Sequence, residues 1–287
     1  MDENPMISVG MSVHNNERTI FSALKSLQKQ TLTNWELILI NDGSTDATLA
    51  VAQSFTDQRI RMISYAEKKG LAQRLNQAID LSRGKYFARM DGDDVCFPER
   101  FQRQVDYLEH SPETDLLGTG SIFFGADGVP LGFFSPPTEH HSICSHPWSG
   151  FALPHPSWMG RLEWFRENRY DARVRKAQDF ELLFRTHSRS RFSAIAEPMI
   201  GYRCERMSLR KSVTSRYSML VAQWRHVWVQ VEWSSFLLSV VEQTAKAFIE
   251  AAFVGMGLER KLIARRVQPL SSEVAERWVE IWRDCQP

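Results

Sequence analysis

Lys85-Tyr86-Phe87-Ala88-Arg89-Met90-Asp91-Gly92-Asp93-Asp94 runs a short apolar segment straight into three carboxylates gathered around one glycine. Bounded upstream by Arg83-Gly84, the segment reads as a buried strand whose C-terminal end is handed to a metal. Carboxylates this close repel one another, and an oxygen-seeking divalent cation turns that repulsion into binding. Mg²⁺ or Mn²⁺ held by one or two such groups keeps several waters and bridges to a substrate phosphate, which makes a phosphate-bearing ligand the natural expectation. Asp and Gly are also ordinary turn residues, so the same letters spell an acidic surface turn. The surroundings have to decide between the two.

Upstream, the pattern alternates. Met6 to Val13 is apolar and ends in His14-Asn15-Asn16, and Ile20, Leu24 and Leu27 then share one helical face. Trp35 to Ile40 is a second buried strand, closed by Asn41-Asp42-Gly43-Ser44-Thr45-Asp46, a turn expected to cap the helix through Leu49 and Ala52 with Ser44 and Thr45. Arg59 to Ser64 gives a third strand, and Gly70 to Ser82 a helix with Leu71, Leu75, Ala78 and Ile79 inward. Strands alternating with helices of this length predict βαβ units and a mainly parallel sheet. In such a sheet the ligand sits beyond the carboxyl ends of the strands, where His14-Asn15, Asp42 and Asp91 to Asp94 all fall. Neither G-x-G-x-x-G nor G-x-x-x-x-G-K-[ST] is present, so dinucleotide and P-loop sites lose their main support.

The bulk numbers are those of an ordinary globular chain. Its 287 residues suffice for one large domain with an appendage or for two domains, and a net charge of +1 argues neither for nor against nucleic acid as a global partner. Cys96, Cys144, Cys204 and Cys285 lie far apart with no C-x-x-C pair, which indicates neither zinc knuckle nor disulfide framework and suits a reducing compartment. The N-terminus is acidic where a signal peptide is basic, and no long apolar run follows it. A cytoplasmic protein is expected, with room for peripheral contact at the cytoplasmic face of the inner membrane.

Downstream, Pro98 to His110 predicts a helix and Leu116 to Phe124 a strand, with a hairpin turn at Gly125-Ala126-Asp127-Gly128. Phe134 to His155, rich in Pro and His, predicts mostly loop, one able to close on substrate. Trp164 to Tyr170 and Asp179 to Thr186 predict helices. From Tyr202 to Arg225 the chain is basic, opposed only by Glu205; a solvated face and a phosphate- or membrane-facing role are both open. Two or three helices follow, one carrying the stripe Leu237, Val240, Val241, Thr244, Phe248 and Ala251. Packing on the catalytic domain or a second subunit is the first expectation for this stripe. The alternative is an amphipathic helix lying on a bilayer beside Arg260, Lys261, Arg265 and Arg266.

Four ordered stretches, Ile7 to Glu17, Glu36 to Asp46, Gly70 to Asn76 and Met90 to Asp94, resemble the successive signatures of the family 2 inverting glycosyltransferases of GT-A fold. The resemblance implies an α/β, Rossmann-like fold, a mainly parallel sheet with helices on both faces, plus a C-terminal helical extension. On that basis residues 1–215 are expected to form the glycosyltransferase domain, with 1–110 the donor half, 111–215 the acceptor half and 216–287 the extension. It also implies a UDP-, GDP- or dTDP-sugar donor, a saccharide or lipid-linked acceptor, Mn²⁺ or Mg²⁺ as cofactor, a cell-envelope setting and no nucleic acid partner; the oligomeric state stays open. By the same resemblance Val13 and His14 cradle the base, Glu17 lies near ribose or base, and Asp42 accepts a hydrogen bond from the base. Arg74 reaches toward the diphosphate. Asp91 and Asp93 match the family's D-x-D: Asp93 is the more direct metal ligand, Asp91 positions ribose or metal waters, and Asp94 is structural.

Sugar transfer needs a stabilised leaving group and a base for the acceptor hydroxyl. Asp179, in Lys176-Ala177-Gln178-Asp179-Phe180-Glu181-Leu182, resembles the family's base, with Glu181 as fallback; Gln178 stands where an acid is usual. Ser12 replaces a usual proline, and Arg203 to Ser208 lacks a histidine often found there. His155-Pro156-Ser157 resembles an acceptor-side motif, and none of the histidines is expected to be a ligand. A nucleotidyltransferase would want a basic, glycine-rich loop after the first strand, which is absent. A non-catalytic nucleotide-sugar-binding protein would keep the donor motifs, and a glycosidase would need facing carboxylates without them.

Overall fold

The computed structural model describes residues 4–204, 208–230, 233–258 and 267–287, without the side chains of 226–230. Strands and helices alternate through the first third: β1 (Ile7–Val13), α1 (Ile20–Gln28), β2 (Trp35–Asp42), α2 (Thr48–Gln53), β3 (Ile60–Tyr65), α3 (Leu71–Leu81) and β4 (Tyr86–Asp91). β1 pairs in parallel with both β2 and β4, and β2 with β3. Register places Val13 opposite Asn41 and Ser12 opposite Asp91, so the loops after β1, β2 and β4 leave the sheet side by side.

The second half comprises β5 (Val95–Cys96), α4 (Arg100–His110), β6 (Leu116–Phe124), β7 (Pro130–Phe134), α5 (His140–Ile143), β8 (Met159–Arg161), α6 (Leu162–Glu167), α7 (Gln178–Thr186) and β9 (Phe192–Arg203). Sheet order is β3-β2-β1-β4-β8-β6-β9-β5, with β7 paired to β6. Only the first half of this sheet is parallel throughout. β8 enters antiparallel between β4 and β6, and β5 and β7 also pair antiparallel, which makes the whole sheet mixed. Between the end of β7 at Phe134 and a 3-10 turn that begins at His155 the chain is largely loop, interrupted by α5.

Both faces are covered. Ile7, Val9, Met11 and Val13 pack on α1 and α4 through Ile20, Leu24, Leu27, Phe101 and Leu108. Ile38, Ile40 and Phe87 pack on α3, α6 and α7 through Leu75, Ile79, Phe165 and Leu182. A Cβ at Gly10 would stand 2.3 Å from the Phe87 ring, so glycine is what lets that ring cross β1. Helix α2 starts otherwise than expected: Asp46 Oδ1 takes the Thr48 amide at 3.0 Å, while Ser44 Oγ accepts from the Asn15 amide and the Thr45 amide donates to Asn15 Oδ1. Those contacts clamp the β1 and β2 loops together, with Asn15 held at a left-handed φ of 57°.

Three helices follow the sheet: α8 (Leu209–Gln230), α9 (Trp233–Gly255) and α10 (Ser272–Asp284). α10 docks on the sheet edge through fully buried Trp278, which packs against Phe97 and Phe124 and donates from Nε1 to the Gly128 carbonyl at 2.8 Å. The apolar stripe of α9 does not pack on the catalytic domain, because Leu237, Val241 and Phe248 are exposed. Its neighbours Ser239, Gln243 and Glu250 turn inward instead. Glu205, Arg206, Arg260, Lys261, Arg265 and Arg266, which entered the sequence expectations, lie outside the described residues. Among the described residues no helix is long and apolar enough to cross a membrane.

Candidate active site

A cleft of about 880 Å³ opens where the parallel half of the sheet meets the β6–β9 half. Arg89, Asp91 and Asp93 line one side, and Asp179, His155, Lys176 and Arg203 help line the rest. Alternation along β4 explains part of this: Arg89 and Asp91 are two residues apart and so share a face of the strand.

The carboxylates of Asp91, Asp93 and Asp94 each place an oxygen within 4.8 Å of the others. Asp94 Oδ1 accepts from the Arg203 amide at 2.9 Å, while its buried Oδ2 has no partner. Burial, reinforced by Asp93 and Asp91, pushes the Asp94 carboxyl well above the usual range. Burial and the Asp91 charge push Asp93 up to about 6. Arg89 is the nearest answer to this concentration of charge: its Nη2 donates to Asp91 Oδ1, yet its buried Nε and Nη1 have no partner. Oxygen-only donors, crowded and undercompensated, with one orphaned buried oxygen, fit a hard divalent cation.

The residues expected on the nucleoside side lie at the ends of β1 and β2, on the neighbouring loops after them and on α3, outside the lining of the cleft. His14 Nδ1 lies 3.0 Å from the Asp42 carbonyl oxygen, Val13 is buried beneath it, and Glu17 Oε2 accepts from the Ala47 amide at 3.0 Å. Asp42 accepts from the Lys69 and Gly70 amides, both at 2.8 Å, and from Arg74 Nε at 2.6 Å. Burial alone would raise the Asp42 carboxyl, but these donors outweigh it and hold it below its ordinary value. The expectation that Arg74 reaches a diphosphate is not met by this geometry. Its guanidinium is fully buried, shared among Asp42, Gln77 Oε1 and the Glu67 carbonyl, and stacked 3.9 Å from the Tyr65 ring centroid. Arg74 orients Asp42 instead.

Asp179 begins α7 on the cleft wall. The residue before the helix, Ala177, sits at φ 55°, a left-handed conformation that costs a non-glycine residue about 1–2 kcal/mol and turns the helix start toward the cleft. Burial pushes the Asp179 carboxyl above its usual range. Glu181, the fallback, is buried away from the cleft lining and paired to Arg185 Nε at 2.8 Å. His155 donates or accepts at Tyr170 Oη over 2.8 Å, and burial with the nearby Arg89 charge pushes it well below its ordinary value, so it stays neutral. His140 Nδ1 takes the Phe192 amide at 3.1 Å, a structural role.

Sequence reasoning missed Arg89 and Arg203. Arg203 donates from its backbone to Asp94 and from Nε to the Asp93 carbonyl at 2.9 Å, tying the end of β9 to the carboxylate loop. The available signal for Arg89 was its place two residues before Asp91 in a strand otherwise apolar from Tyr86 to Met90.

A doubly covered mixed sheet, carboxylates at the edge of its parallel half and a further carboxylate on the cleft wall are the build of a GT-A glycosyltransferase. The family model "Glycosyl transferase family 2" matches residues 8–169, and the chain belongs to that family of enzymes. It is 35% identical over 191 residues to the putative glycosyltransferase EpsE of Bacillus subtilis (strain 168), covering 64% of this chain and 68% of that one. Over 117 residues it is 32% identical to an Escherichia coli protein, UDP-Glc:alpha-D-GlcNAc-diphosphoundecaprenol beta-1,3-glucosyltransferase WfgD, covering 41% of this chain and 46% of that one. The crystal structure of S. aureus TarS residues 1–349 in complex with UDP superposes with a TM-score of 0.61 at 17% identity, over 97% of this chain and 79% of the other.

Proposed function

We propose that this glycosyltransferase transfers a sugar, with inversion, from a UDP-sugar to a hydroxyl of a saccharide or lipid-linked acceptor in envelope polysaccharide synthesis. The observation carrying it is that Asp91 and Asp93 line the same cleft as recessed Asp179. UDP as nucleotide rests on the TarS complex and the printed activity of WfgD, and the lipid-linked acceptor on the latter.

Asp42, held ionised and oriented by Arg74, is the acceptor for a nucleobase N–H, with His14 and Val13 shaping the base pocket and Glu17 fixing the loop above it. Asp93, with Asp91, would hold Mn²⁺ or Mg²⁺, which supplies Lewis-acid stabilisation of the leaving diphosphate when bound. Asp179 takes the proton from the acceptor hydroxyl as its oxygen attacks the anomeric carbon from the face opposite the diphosphate. The sugar–oxygen bond to the diphosphate breaks in the same displacement. A single displacement of this kind inverts the α-linked donor to a β-linked product. Residues 1–215 are the unit we assign to this reaction, with 216–287 as an extension to it.

Calorimetric titration of UDP, GDP and dTDP, with and without Mn²⁺, tests the donor half. Metal-dependent binding of UDP is expected, and Asp93→Asn should abolish the metal dependence. UDP affinity indifferent to both Mn²⁺ and Asp93 would remove the metal site. Binding without transfer to any acceptor would leave a nucleotide-sugar-binding protein.

A further inference from the structure

Helix α9 is amphipathic the wrong way round for a helix packed on a soluble domain. Apart from Phe236, which packs on Trp148 and Trp224, its inward side is polar: Gln243 Oε1 accepts from Arg216 Nη1 at 2.6 Å, Glu250 binds the same guanidinium, and Ser239 donates to Gln223 at 2.8 Å. Its outward side is not. Leu237, Leu238, Val241 and Phe248 are 62–73% exposed, and Ile249 and Met256 extend the strip. The remaining exposed positions of α9 are Trp, Ser, Thr, Ala and Gly, and its partly exposed charges, Glu242 and Lys246, are paired with each other along one border of the strip. α8 repeats the pattern with exposed Val213, Tyr217 and Trp224, four and then seven residues apart.

Charge sorts the same way. Among the described residues the hairpin has two carboxylates, and both are engaged: Glu250 with Arg216, and Glu242 with Lys246 and Ser149. Arg210 is exposed, and Arg225, exposed as well, is paired with Asp171. The surface on offer is therefore apolar groups, indole and phenol rings, and cations. That combination complements an anionic lipid leaflet, where acyl chains take the aliphatic strip, Trp and Tyr settle at headgroup level, and cations meet phosphates. In a symmetric pair of copies the cations would meet a surface with no free described carboxylate to answer them.

We propose that the α8–α9 hairpin lies in the interfacial plane of an anionic bilayer, outer face down. At about 1.5 Å per residue the 23 residues of α9 give a strip of about 34 Å, long enough to anchor yet polar on its inner side, so it lies on the membrane and does not span it. Ser208, Lys211, Ser212 and Ser215 at the start of α8 also line the cleft, so the anchored element is a wall of the active site. Resting on the acceptor class proposed above, the hairpin thus delivers the cleft to an acceptor carried in the lipid.

Co-sedimentation with vesicles of phosphatidylglycerol and phosphatidylethanolamine, against phosphatidylcholine alone, tests the proposal. The protein should pellet with the anionic vesicles, and high salt should release a large part of it. The double variant Leu238→Asp/Phe248→Asp should lose at least about tenfold in partitioning, and Arg210→Glu several-fold. Retained UDP binding and an unchanged circular dichroism spectrum show each variant folded. Wild-type protein left in the supernatant, or a double variant that still pellets, overturns the proposal. A dimer in sedimentation velocity that Phe248→Asp dissolves, without vesicle binding, assigns the face to a second copy and overturns it too. Vesicle binding in a protein that binds no nucleotide would leave the anchor standing and sink the functional reading instead.

Discussion

A carboxylate that accepts a proton works only above its own pKa, and partial burial raises that of Asp179, the proposed base. The active form is the deprotonated one, so kcat/KM should fall with unit slope as pH drops through a value above the ordinary 3.8 of an aspartate. Asp179→Asn should cost about 10²- to 10⁴-fold in kcat while UDP affinity, read by calorimetry, holds. Asp93 sets a second and separable limb. With its carboxyl near 6, protons compete for the cation's place below that pH, so Mn²⁺ affinity should weaken there. Saturating Mn²⁺ should erase the Asp93 limb and leave that of Asp179; a single limb insensitive to Mn²⁺ would deny Asp93 its role. Arg74 invites a different measurement. Removing it leaves the Asp42 charge buried and short of its strongest donor, so Arg74→Ala should lose about 3–5 kcal/mol in urea unfolding, whereas exposed Arg166→Ala should lose almost nothing. Asp42, Asp91 and Asp93 were legible because polar residues closing apolar runs in a parallel sheet have one place to go. The direction of Arg74 was not, since a helix arginine reaches either partner equally well until β2 and the loop before α3 fix where Asp42 stands.

Elements were legible in proportion to their length. β1, β2 and β4 are apolar runs of six to eight residues and announce themselves, as do α1, α3 and α4 with their periodic faces. β5 and β8, two and three residues long, carry no pattern of their own and exist because β9, β4 and β6 offer edges to pair with. That is why the sequence predicted a mainly parallel sheet where the second half is mixed. α10 shows how far an element outside the four ordered motifs reaches into the site. Trp278 lies where a Cβ on Gly201 would approach within 2.1 Å, and Trp282 stacks under Arg203, the residue gripping Asp93 and Asp94. Trp278→Ala should therefore cost about 3–5 kcal/mol in urea unfolding. It should also weaken Mn²⁺ binding, because the β9 end loses its backing; a destabilised variant with unaltered Mn²⁺ affinity would show α10 to be a brace for the sheet alone.

At the scale of the whole molecule, the stripe on α9 could be found in the sequence, but its direction could not. Periodicity reports that apolar residues share a face and is silent on whether that face meets the core. Here the core was already covered: α3, α6 and α7 fill one side of the sheet, α1 and α4 the other, and α8 reaches the domain through Ala222 against Phe180 and Phe184 of α7. α9 joined that assembly by polar contacts with α8 and with residues 148–149, and by Phe236 against Trp148 and Trp224, which left its other apolar residues outward. A membrane would then act on catalysis through geometry, by confining enzyme and acceptor to one surface and raising their encounter rate without altering the chemistry at Asp179. The consequence is a split between substrates. Leu238→Asp/Phe248→Asp should transfer sugar to a water-soluble acceptor as fast as the wild type, and lose about tenfold or more in kcat/KM toward the same saccharide on a lipid embedded in anionic vesicles. Equal losses on both acceptors would mean that the hairpin shapes the cleft itself, since α8 and Trp148 both join α9 to α7, the helix that carries Asp179.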